Sequence, residues 1–123
     1  MSDIQIYKLE SVQEKINKVK ELDQSWADEE GIALPDETAI KQTCNFVKNL
    51  ADYEIYPDRV NPSAEGGICL SFHNGTQILH FEIYNDGELG YIIEDRYKKE
   101  ILENQEIKYL STMIERIKEF YNF

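Results

Sequence analysis

A chain of 123 residues supports one hydrophobic core and is too short for two, so a single domain spanning 1–123 is expected. With 41% apolar and 30% charged residues, it belongs among folded chains rather than disordered ones. A formal net charge of -11 argues against direct nucleic-acid binding, which draws its affinity from a basic patch that releases counterions from phosphates.

The charge is unevenly spread. Glu21, Asp23, Asp28, Glu29, Glu30, Asp36 and Glu37 lie between Lys20 and Lys41 with no base among them. Glu65, Glu82, Asp86, Glu88, Glu94 and Asp95 lie likewise between Arg59 and Arg96. Either these stretches are solvated faces, or they converge into a surface that docks a basic partner.

Residues 2–8 are expected as a short edge strand or a loose arm. Ser11 and Glu14 have the spacing of a capping box, and Val12, Ile16, Val19 and Leu22 then recur at helical intervals, predicting a helix over about 11–23. Gln24 to Leu34 has no period and reads as a loop around Trp26. Pro35 suits the first turn of a second helix, with Asp36 and Glu37 at its positive end. Ala39, Ile40, Cys44, Val47 and Leu50 form its apolar face, Phe46 widens that face, and the helix should end near residues 49–51.

Arg59 to Pro62 is at most an edge strand, because proline cannot donate to a ladder. Gly66-Gly67 lets the backbone turn into a strand over Ile68–Phe72. Asn74-Gly75 signals a hairpin, and Gln77–Tyr84 returns with Leu79, Phe81 and Ile83 on one face. Asn85-Asp86-Gly87 makes a second turn, and Leu89, Tyr91 and Ile93 mark a third strand. Ile107, Leu110, Ile114, Ile117 and Tyr121, with Met113 and Phe120, predict a helix over about 104–121. The fold class is therefore α+β: an antiparallel meander of three to four strands with three helices packed against one face.

Trp26 through Gly31, Leu34-Pro35, Ala39-Ile40, Phe46, Val60-Asn61-Pro62 and Gly66-Gly67-Ile68 together resemble a family of small uncharacterised bacterial proteins. The resemblance covers roughly residues 22–90 and implies a small α+β domain without implying an activity. The chain departs from the family in its loop after Trp26, which is acidic where the family's is rich in proline.

Cys44 and Cys69 are too few for a disulfide framework and read as buried free thiols. No basic start leads into an apolar run, and no apolar stretch reaches 18 residues, so no secretory leader, no membrane and a cytoplasmic address are expected. His80 and Glu82, two apart on a strand, share a face; a third ligand for zinc is not evident, so neither a metal nor another cofactor is expected.

Three functions fit. The first is an acidic protein-binding module, antitoxin-like or immunity-like, that inhibits a basic protein through Trp26, Asp28, Glu29, Glu30, Glu82, Tyr84, Glu94 and Asp95. The second is a small hydrolase using His80 with Glu82 or Asp95, although no nucleophile stands in a recognisable turn. The third is a structural subunit whose sheet face, carrying Ile78 and Tyr84, pairs with its own copy in a homo-oligomer. The first accounts for the charge pattern and the aromatic residues together.

Overall fold

A computed structural model describes residues 2–22, 24–31 and 33–122. Along the chain come α1 (Asp3–Lys20), α2 (Gln24–Glu30), α3 (Glu37–Ala51), β1 (Arg59–Pro62), β2 (Gly67–Asn74), β3 (Gln77–Tyr84), β4 (Leu89–Asp95), β5 (Glu100–Ile107) and α4 (Leu110–Phe120). Each strand pairs antiparallel with its neighbour in the chain, giving the order β1-β2-β3-β4-β5. The fold is α+β, and among the described residues its meander has five strands where three to four were expected. Among the described residues there are four helices where three were expected.

Alternation along the strands decides the layering. Ile68, Leu70 and Phe72 of β2 pair with Ile83, Phe81 and Leu79 of β3, and these pair with Leu89, Tyr91 and Ile93 of β4. All nine are buried in one cluster with Ile16 of α1, Phe46 and Leu50 of α3, and Met113 and Ile117 of α4. α3 lies on β2 and β3, α4 on β5, and α1 against α3 and β1. Phe46 meets Phe81 with ring centroids 4.8 Å apart. Each large apolar side chain withdrawn from water contributes about 1.5–3 kcal/mol, so this face is where the fold gains most of its stability.

The helices differ from expectation at several boundaries. Residues 2–8 open α1 instead of forming a strand or arm. The Ser2 hydroxyl accepts from the Gln5 amide at 3.2 Å, and Gln5 Oε1 accepts from the Ser2 amide at 2.8 Å. Ser11 and Glu14 therefore lie inside the helix, and Ser2 with Gln5 is the capping box. The first turns expose Ile4 and Tyr7, so no apolar stripe announces them. α1 stops at Lys20; Asp23, the expected end and a member of the first acidic stretch, lies outside the described residues. The expected loop from Gln24 to Leu34 contains α2, whose one buried residue, Ala27, is too little for a period to register. α3 begins after Asp36, one residue beyond Pro35, because the Asp36 carboxylate caps it by accepting from the Ala39 amide at 2.8 Å. Cys44, expected on its buried face, is only half-buried, and Thr43 is buried instead.

The last helix, expected over 104–121, begins only at Leu110, because Glu100–Ile107 is β5. β5 is an edge strand exposed along most of its length, so polar residues occupy both of its faces and no alternation reveals it. Half-buried Ile107 stands three residues before Leu110 and imitates a helical stripe. The first hairpin turns at Gly75-Thr76, one residue later than expected, with Asn74 still paired to Gln77.

β5 is tied to α4 through Glu103. Arg116 Nη2 donates to Glu103 Oε1 at 2.7 Å, and the Tyr91 hydroxyl donates to Glu103 Oε2 at 2.7 Å. The Arg116 hydrogen bond holds the Glu103 carboxyl below the usual glutamate range, and Glu103 in turn raises Arg116.

Two outcomes are expected. A Cβ on Gly67, which sits at φ +131°, would lie 2.1 Å from the Ile83 carbonyl oxygen, whereas Gly87, at φ +87°, has nothing within 4 Å. Gly67→Ala should cost about 3 kcal/mol or more and Gly87→Ala about 1 kcal/mol, measured as shifts in urea midpoint. Glu103→Gln should cost about 1 kcal/mol at pH 7, since the pair is partly exposed. A depressed carboxyl contributes stability above its unfolded pKa and loses it as pH falls through the folded value. The difference between Glu103→Gln and wild type should therefore shrink once pH drops below the ordinary 4.5.

Candidate functional site

The sheet face turned away from the core carries the other half of each strand's alternation. Register aligns its side chains into rows across the strands. Arg59, Ser71, His80, Ile92 and Asn104 form one row, and Asn61, Cys69, Glu82, Gly90 and Glu106 form the next. In the second row Gly90 puts no side chain between Glu82 and Glu106. An open concavity of about 820 Å³ lies there, lined by Gly90 and Ile92 together with the carboxylates Glu65, Glu82, Asp86, Glu88 and Glu106. Among the described residues, Lys108 is the one lysine or arginine that lines it. None of the five carboxylates enters an ion pair among the described residues.

The walls are fixed by backbone geometry. Gly66, at φ +93°, would bring a Cβ within 3.0 Å of Asn85 Nδ2, so the chain beside Glu65 closes tightly onto the β3–β4 turn. Asn85 holds that turn in place. Its amide donates to the Gly66 carbonyl at 3.1 Å, its Nδ2 donates to the Leu34 carbonyl at 3.0 Å, and its Oδ1 accepts from the Asp36 amide at 2.8 Å. The Glu88 amide donates to Asp86 Oδ1 at 2.9 Å. The carboxylates of the turn thus stand on a braced support.

Titration behaviour follows from these surroundings. The Tyr84 hydroxyl donates to Glu82 Oε2; burial, and then that carboxylate, raise the phenol above the usual tyrosine range. Tyr84 therefore stays protonated and acts as a donor. Burial, and then the Glu82 charge, push the Cys69 thiol up to about 11, which leaves it a poor nucleophile near neutral pH. In the neighbouring row, Ser71 Oγ lies 2.8 Å from His80 Nδ1, and His80 Nε2 lies 3.2 Å from Glu94 Oε1. Serine, histidine and glutamate follow the order of an acyl-transfer relay with the two ring nitrogens interchanged, but Ser71 is only 4% exposed, so a substrate has little access to its oxygen. The row fits cross-strand support better than chemistry.

The residues singled out from sequence fall in different places. Glu82 and Tyr84 line the concavity. Glu94, paired in register with Ile78, contacts His80 instead of approaching Glu82. Asp95 turns the chain toward β5, accepting from the Tyr97 and Lys98 amides, each at 3.0 Å. Trp26, Asp28, Glu29 and Glu30 are exposed on α2, Trp26 at 39%, and none of them lines the concavity. Among the described residues, no three His, Cys, Asp or Glu side chains gather as a metal site, and no helix is long and apolar enough to cross a membrane.

Sequence reasoning grouped Glu65, Asp86 and Glu88 as members of a base-free stretch without locating them together. It missed Glu106, which was assigned to a helix, and Gly90, whose role depends on register. The Asn85 anchor was visible only as a turn residue.

No protein-family model, curated protein or solved structure matches the chain.

Proposed function

We propose that this protein is an acidic binding module that docks a basic protein, in the manner of an inhibitory antitoxin-like or immunity-like chain. The partner engages the uncovered concave face of the sheet. One observation carries this reading: five carboxylates, none of them in an ion pair among the described residues, line one concavity beside a single lysine. Gathering like charges costs Coulomb energy that a basic partner would relieve. Tyr84 adds an amphipathic ring of the kind enriched at interfaces. A hydrolase built on His80 has less support, because Ser71 and Glu94 hold both of its ring nitrogens within a row whose serine is buried. The free thiols Cys44 and Cys69 suit a reducing compartment such as the cytoplasm.

The test uses an eight-residue lysine peptide titrated into the protein by calorimetry. Affinity should fall steeply as salt rises from about 50 to 500 mM. Replacing Glu65, Glu82, Glu88 and Glu106 together by Gln should weaken binding by about tenfold or more, while Asp86 is kept for its bond to the turn. Salt-independent affinity, or an unchanged affinity in the fourfold variant, would contradict the reading.

A further inference from the structure

We propose that the basic partner binds as an extended segment that adds a sixth strand along the free edge of β5; this rests on the acidic docking face described above. The two edges of the sheet differ. β1 has four residues, ends in Pro62 and is packed by α1, so it offers little to pair with. β5 has eight residues and no proline, and is exposed along most of its length. An edge of that kind presents unpaired amide and carbonyl groups, and natural sheets usually cover or shorten it. Beyond the irregularity opposite Ile93 and Glu94, residues 103–107 continue in regular register and offer an unbroken template.

Chemistry along the edge selects the occupant. β5 contains Glu100, Glu103 and Glu106 and no base. Asn104, Gln105 and Glu106 also line the concavity, so an added strand would run beside its mouth. Side chains alternate along a strand, and every second one would point to the same side as Glu82 and Glu106. Lysine or arginine at those positions meets Glu106 directly and stands at the rim of the concavity that holds the other carboxylates. Exposed Ile101, at 62%, and Tyr97, at 86%, offer apolar contact at one end of the strand. A second copy of this chain is the poorer occupant: each carries -11, and two β5 strands side by side would bring together six glutamates with no base among them. In strand addition the backbone ladder supplies affinity and the alternate side chains supply choice.

The probe is a nine-residue peptide of alternating lysine and valine, compared with two versions N-methylated at alternate residues, one in each phase. Methylation keeps the charge and removes the amide hydrogens that a ladder needs. The unmodified peptide should slow amide exchange in residues 103–107, and methylation in at least one phase should weaken binding tenfold or more. Equal affinity for all three peptides, unchanged exchange in residues 103–107, or binding of the lysine octamer without binding of this peptide would overturn strand addition and leave acidic docking standing. If neither the alternating peptide nor the lysine octamer binds, the docking reading itself falls, and strand addition with it.

Discussion

Burial of one face of the meander under the helices is the constraint on which the rest of the molecule depends. Nine apolar side chains from β2, β3 and β4 meet Ile16, Phe46, Leu50, Met113 and Ile117 in a single cluster. A strand can present only half of its residues to such a core, so the alternate residues are left on the other face. Cys69, His80 and Glu82 stand on that face because their neighbours are committed to the core, and Glu106 joins them through its register with Gly90. The acidic concavity is therefore a geometric consequence of the packing, shaped at one point by Gly90.

The electrostatics of that face are sustained by the same scaffold. Like charges within one site repel, and a flexible loop would spread them apart. Here Glu82, Gly90 and Glu106 are held by strand register, while Glu65, Asp86 and Glu88 are held by the Gly66 and Asn85 contacts. The Glu103 pair with Arg116 keeps β5 tied to the core on its inner side, so the strand that contributes Glu106 does not peel away. Register and turn contacts thus hold these carboxylates together on one face, which is the feature the proposed docking of a basic partner rests on.

What could be read from the chain depended on how strongly each element is buried. β2, β3 and β4 were legible because Ile68, Leu70, Phe72 and their partners alternate without interruption. α3 and α4 were legible from their apolar faces. The first turns of α1, all of α2, and β5 have little or no buried face, so propensity and capping decide them, and no period betrays them. The acidic stretches were visible as charge without bases; their convergence was not, because which carboxylates meet depends on a register that links residues 82, 90 and 106. Glu106 escaped notice for a related reason: Ile107 fits a helical spacing as readily as an edge strand.

The most direct measurement is an amide chemical-shift map of the labelled protein as a short lysine peptide is added. If the open sheet face is where the charge acts, the largest changes should gather at Glu65, Glu82, Gly90 and Glu106, with little change on α2. Changes centred on Trp26 to Glu30, or spread evenly over every acidic residue, would contradict the assignment of function to that face.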